Sequence, residues 1–147
     1  MAASRKKLAA EAWGALLQVH AALVPELDRE LRRQAGLPLA WYDVLLELHS
    51  APDHRLTMSE LGDRVVLSRS RVSRVVDELA REGLVARVAN PADARSAYAV
   101  LSAVGEQRFL EAAPVYVRGI ERSFAAGLSE AELRTITSAL HRVRERL

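Results

Sequence analysis

The chain has 147 residues, 50% hydrophobic and 27% charged, which is ordinary globular composition with enough length for a real core and too much apolar content for disorder. It contains no cysteine, so disulfides, a thiolate zinc site and a thiol redox switch are excluded. The net charge of +2 is unevenly placed: residues 64–95 carry seven arginines against four acids (Asp77, Glu78, Glu82, Asp93), while the rest of the chain has fourteen bases and fifteen acids. The opening MAASRKKLAAEAW lacks the apolar run of a signal peptide, and no apolar stretch of about eighteen residues occurs. A cytoplasmic protein with no membrane partner is expected.

In chain order, the first element is a helix from Leu8 to about Arg33. Leu16, His20, Leu23, Leu27 and Leu31 form a stripe at helical spacing, with Trp13, Leu17 and Val24 beside it and a kink expected at Pro25. Gly36-Leu37-Pro38 breaks it, and a second helix over Leu39–His49 turns Trp41, Val44, Leu45 and Leu48 inward. Residues 50–55 read as a turn. Thr57-Met58-Ser59-Glu60 has the form of a capping box and opens a short helix to about Val65. Ser68 is the N-cap of a further helix that stops before Gly83. Val85–Val88 and Ala97–Leu101 read as two strands around an Asn90-Pro91-Ala92-Asp93 turn. Ser102 opens a helix containing Phe109, Val117, Ile120 and Phe124, kinked at Pro114 and ended at Gly127. Ser129 and Glu132 form a second capping box, opening a helix striped by Leu133, Ile136, Leu140, Val143 and Leu147.

The helix opened by Ser68 carries the functional signal. Val72, Val75, Val76 and Leu79 make one buried face, which puts Ser70, Arg74 and Arg81 opposite and Arg71 and Ser73 on the flanks. Its first half holds Arg69, Arg71 and Arg74 and no acid, whereas Asp77, Glu78 and Glu82 lie in the second half. A recognition helix presents its N-terminal residues to the major groove, so positive charge belongs there, although three arginines oppose the helix dipole in the free protein. Arg95 sits near the tip of the following hairpin, where an arginine suits a narrow, negative minor groove. Asp93 either pairs with Arg95 or Arg87 to fix the hairpin or caps its own turn. A solvated helix face would account for the arginines singly, but not for their polarity along the helix together with the short capped helix before it and the hairpin after it.

The stretch LSRSRVSRVVDELAREGLVAR with Asp93-Ala94-Arg95-Ser96, and the LAWYDVL segment from Leu39 to Leu45, resemble the MarR family of bacterial transcription regulators, over nearly the whole chain. The resemblance implies a mainly α fold with a small β-wing. A single domain spans 1–147: a winged helix-turn-helix lobe at about 38–101, flanked by dimerisation helices at about 4–33 and 102–147. It implies a homodimer that binds double-stranded DNA sequence-specifically at a pseudo-palindromic operator, as a ligand-responsive repressor. Carried over by position, Ser68, Arg69, Ser70, Arg71, Ser73 and Arg74 are the groove-facing candidates and Arg95 is the wing arginine. Terminal helices more apolar than one lobe can cover fit a dimer, the alternative being that they pack on each other within one subunit.

The family resemblance also implies a small aromatic or phenolic effector, for which Trp13, His20, Trp41, Tyr42, Asp43 and His49 are candidates, although ordinary core or interface packing is the better account of each taken singly. No cofactor is expected. His20, His49, His54 and His141 lack metal-ligand spacing, so no metal is expected, and a metal sensor would need Asp or Glu ligands. There is no phosphate loop, nucleophile elbow or H-E-x-x-H, so the chain is not read as an enzyme. The competing reading is a winged-helix module that binds protein, which acids in place of Arg71 and Arg74 would have favoured.

Overall fold

Each helix begins and ends where local chemistry makes a neighbouring conformation cheaper. The computed structural model describes residues 2–93 and 95–147. Its helices are α1 (Ala2–Ala35), α2 (Leu39–Ser50), α3 (Met58–Arg64), α4 (Arg69–Arg81), α5 (Ala103–Ile120) and α6 (Glu130–Arg144). The strands are β1 (Arg55–Thr57), β2 (Val85–Ala89) and β3 (Ala97–Leu101). The fold is thus mainly helical with a small antiparallel β-wing. α1 and α5 each remain helical on both sides of Pro25 and Pro114. Among the described residues no helix is long and apolar enough to cross a membrane.

The chain forms two compact units, one built from the chain up to Leu27 together with Tyr116–Leu147, the other from Asp28–Val115. In the Asp28–Val115 unit, Val72, Val75, Val76 and Leu79 of α4 are buried as their spacing predicts, and α4 packs on α2, which buries Val44, Leu45 and Leu48. Complete burial of each such side chain is worth roughly 1.5–3 kcal/mol. At the start of this unit Asp28 accepts the Leu39 N–H and Arg32 Nε, both at 2.8 Å, tying the end of α1 to the start of α2. Burial pushes its carboxyl up, but the Leu39 hydrogen bond and Arg32 outweigh that and hold it below the usual carboxylate range.

α4 ends in the expected glycine stop. Gly83 has φ of 72°, its N–H bonds to the Ala80 carbonyl, and Leu84 N–H bonds back to Leu79 at 2.9 Å, which together satisfy carbonyls the helix leaves free. Ser102 then ties this end to α5: its hydroxyl donates to the Gly83 carbonyl at 2.7 Å and accepts the Gly105 N–H at 3.0 Å. The approach is close enough that a Cβ on Gly105 would stand 2.0 Å from the Leu84 carbonyl oxygen.

The sheet has the order β1-β3-β2, with Arg55 opposite Val100 and Val85 opposite Leu101. β1 corrects the expectation that residues 50–55 form only a turn. A 3-10 turn at Pro52–His54, with Asp53 and His54 at positive φ, swings the chain into a third strand beside β3.

In the other unit α6 opens on the expected Ser129/Glu132 capping box, yet buries none of its residues completely. A π-helical turn at Glu121–Ala125, in a stretch expected to continue the preceding helix, has Ser123 Oγ donating to Glu26 Oε1 at 3.0 Å. Trp13 (61% exposed), Leu16, Leu17, Leu140 and Val143 leave a large apolar face open, with a groove of about 550 Å³ between Trp13, Leu16 and Val19 on one side and Phe124, Ile136 and Leu140 on the other.

Candidate nucleic-acid interface

The preceding helix α3 is set by its capping box: Thr57 Oγ1 accepts the Glu60 N–H, and the Glu60 carboxylate accepts the Thr57 N–H at 2.8 Å. These hydrogen bonds hold the fully solvated Glu60 carboxyl below its ordinary value. α3 packs on α4, whose first turn carries no acid.

The seven residues expected to meet DNA divide by what they already contact. Ser68 caps α4, its hydroxyl accepting the Arg71 N–H at 3.3 Å. Arg69 is exposed but its Nη2 lies 3.2 Å from the Asp63 carboxylate. Ser70, Arg71 and Arg74 are exposed on the outer surface of α4. Ser73 is half-buried, and its hydroxyl and carbonyl both accept Arg87 Nη2, at 3.0 and 3.1 Å. Its hydroxyl is therefore engaged within the chain, by Arg87 of the wing.

Arg87 is the residue that sequence reasoning undervalued. Its Nε lies 3.0 Å from Asp77 Oδ1, so a single guanidinium joins strand β2 of the wing to two successive turns of α4. The period-two pattern held the clue, because Arg87 shares a strand face with the buried Val85, and β2 packs on α4. Of the two roles open to Asp93, the structure gives it the turn: its carboxylate accepts the Arg95 N–H at 2.9 Å, beside an Asn90 carboxamide that accepts Ala92 N–H at 3.0 Å. Ala94, the second position of the Asp93–Ser96 motif, lies outside the described residues.

Two concavities flank α4. One, of about 330 Å³, is bounded by Met58, Ser59 and Gly62 at α3, Arg69 and Ser73 of α4, and Arg87 and Arg95 of the wing. The wing arginine and the start of α4 thus line one groove. The other, of about 400 Å³, places Trp41 beside Arg32, Arg71 and Arg74. Trp41 is half-buried there and donates Nε1–H to Glu78 at 3.0 Å.

The remaining effector candidates are scattered. Tyr42 is buried with its ring 5.3 Å from that of Phe109, and the His49 ring lies tilted 4.7 Å from the same phenyl ring. Trp13 lines the apolar groove of the terminal-helix unit, where His20 is exposed. Asp43 is mostly buried, and that burial, reinforced by Glu47, raises its carboxyl to about 6.

A model of the MarR family matches residues 35–96. The HTH-type transcriptional regulator MhqR of Bacillus subtilis is 30% identical over 108 residues, covering 74% of this chain and 72% of MhqR. An uncharacterised HTH-type regulator of the same organism, YkoM, is 35% identical over 75 residues, or 51% of this chain; the match spans 48%, about half, of YkoM's own length. Among solved structures, the MarR family regulator Sco3205 of Streptomyces coelicolor, determined in complex with DNA, aligns with a TM-score of 0.85 and 30% identity over 92% of this chain and 86% of Sco3205.

Proposed function

Because the chain belongs to the MarR family of winged helix-turn-helix regulators, we propose that it binds double-stranded DNA sequence-specifically, with α4 in the major groove and the β2–β3 wing on the adjacent minor groove. One observation carries the reading: the acid-free start of α4 and the wing arginine Arg95 line one concavity, on the segment where the chain concentrates its positive charge. Arg71 and Arg74 reach base edges and phosphates, Ser70 lies exposed beside them with its Oγ 3.4 Å from Ser68 Oγ, and Arg95 supplies charge to the minor groove. Ser68 and Arg69 hold the start of α4, and Ser73 anchors Arg87 of the wing.

The acting species is a homodimer. The open apolar face around Trp13, Leu16 and Leu140 supports this, since a second copy would remove from water side chains that one copy leaves exposed. Two dyad-related α4 helices would read half-sites roughly 34 Å, or about 10 bp, apart. The protein acts as a repressor released by an aromatic or phenolic anion. The groove that holds Trp41 with Arg71 and Arg74 offers both a ring surface and positive charge to such a ligand, and a ligand there would compete with phosphate for the same guanidinium groups.

Selection of bound sequences from a random duplex pool, repeated with aromatic acids, tests the reading. A two-fold symmetric consensus is expected, with affinity falling steeply in salt by about 0.9 in log–log slope per phosphate contact. Enrichment of no sequence, with binding to protein partners instead, would establish the interaction-module reading in its place.

A further inference from the structure

The turn between α2 and β1 gathers three groups that are distant in sequence and that the DNA-binding reading does not use. His49 closes α2, His54 follows at positive φ immediately before β1, and Glu106 lies in the first turn of α5. One ligand atom from each stands within 4.8 Å of the others, and all three residues are half-buried. The Nδ1 atoms of both histidines are themselves buried and have no hydrogen-bond partner. Two neighbouring imidazoles each left with an unpaired ring nitrogen are unusual, because a buried nitrogen that has given up water ordinarily finds a partner.

The spacing suits an ion better than a hydrogen bond. His49 Nδ1 lies 3.5 Å from Glu106 Oε1, long for a direct N–H···O bond. Two ligands each about 2.0–2.1 Å from a tetrahedral Zn²⁺ stand roughly 3.3 Å apart, so this pair is already near the separation it would need. His49 is held in place by Phe109, at 4.7 Å between ring centroids, and the His54 ring is 5.5 Å from that of His49. His54 offers the third ligand atom, within 4.8 Å of the other two. Neutral imidazole and carboxylate together select borderline divalent ions such as Zn²⁺ over Mg²⁺ or Ca²⁺, which prefer all-oxygen shells.

We propose that His49, His54 and Glu106 form a binding site for a borderline divalent transition-metal ion, with its remaining coordination filled by water. The site is independent of the DNA-binding assignment and shares no residue with the DNA-contacting set. It joins the end of α2, the turn into β1 and the start of α5. β1 pairs with the wing strand β3 and α5 follows β3 directly, so the ion braces the root of the wing.

Calorimetric titration of Co²⁺ and Zn²⁺ into the full chain, free of any histidine tag, is the test. Saturation near one ion per chain is expected, with Co²⁺ giving the visible absorption of a low-coordinate site that Zn²⁺ abolishes. H54Q and E106Q should each weaken binding by about tenfold or more, whereas H20Q and H141Q leave it unchanged. E106Q keeps the shape of a solvent-accessible helix residue, and circular dichroism confirms that each variant is folded. Absence of binding by the wild-type chain, or equal affinity in folded H54Q and E106Q, overturns the proposal.

Discussion

Replacing Arg87 should uncouple wing geometry from wing charge. In the native chain its guanidinium spans Asp77 Oδ1 at 3.0 Å and the hydroxyl and carbonyl of Ser73 at 3.0 and 3.1 Å. The Arg87 side chain is 34% exposed and that of Asp77 57%, so the ion pair is solvent-screened and contributes about 0.2–1 kcal/mol. With the two hydrogen bonds to Ser73, R87A should cost about 1–2 kcal/mol of stability, or roughly 3–8 °C in Tm for a chain of this size. DNA affinity should fall further than the lost charge alone explains, by about tenfold, because β2 is no longer fixed to α4 and Asp77 is left uncompensated near the phosphates. R87K is the decisive comparison. A lysine ammonium preserves the charge but cannot hold the fork of three acceptors, so it should restore the salt dependence of binding while recovering only part of the affinity. Tm by thermal melting and duplex affinity at two salt concentrations measure both quantities. Wild-type affinity for R87K at both salts would refute the clamp and leave only a charge at that position.

Three further outcomes test the remaining assignments. R74A should relax preference at one base pair per half-site and cost roughly 1–3 kcal/mol if Arg74 reads a guanine edge, or weaken all duplexes evenly and reduce the salt slope by about one if it meets phosphate; a selected-sequence profile identical to wild type with unchanged affinity removes Arg74 from the interface. R95A should weaken binding while leaving most of the consensus intact, with lysine rescuing in part, since the minor groove separates A·T from G·C and little else; unchanged affinity in a folded R95A dimer would make the hairpin merely structural. For Asp43, burial raises the folded carboxyl from 3.8 to about 6, so its ionisation costs nothing below the unfolded value, grows as pH rises from about 3.8 to 6, and is complete above that. D43N should therefore stabilise the chain at neutral pH, by about 1 kcal/mol once the ceiling of about 3 is discounted for the solvent the carboxyl still meets, and by about half as much at pH 5; a gain in Tm that is the same at both pH values would exclude ionisation as its cause.

The parts of the fold legible in the sequence are those decided within a few residues. Thr57 with Glu60 and Ser129 with Glu132 satisfy backbone donors three positions apart, and both boxes form as read. The stripe Val72, Val75, Val76 and Leu79 belongs to one helix, and Gly83 ends that helix through its own φ. β1 escaped because Arg55-Leu56-Thr57 is too short to show alternation, and its reason to be a strand is β3, more than forty residues later. The π-helical turn at Glu121–Ala125 likewise has no marker in local propensity.

The same boundary runs through the site. Periodicity places Ser73 on a flank of α4 correctly, but whether that flank meets DNA or another part of the protein depends on which side chain β2 sends across. Arg87 arrives there and engages the serine hydroxyl. Sequence spacing likewise separates His49, His54 and Glu106, and a search for ligands at helical or loop intervals passes over them, while the positive-φ turn at Asp53–His54 and the return of β3 into α5 bring them within 4.8 Å. A helix face read from sequence is a direction, and its chemistry is set by what the tertiary fold places in that direction. For Arg71 and Arg74 the described fold leaves that direction to solvent, and this is the physical reason that they, rather than Ser73, should carry the base-reading contacts.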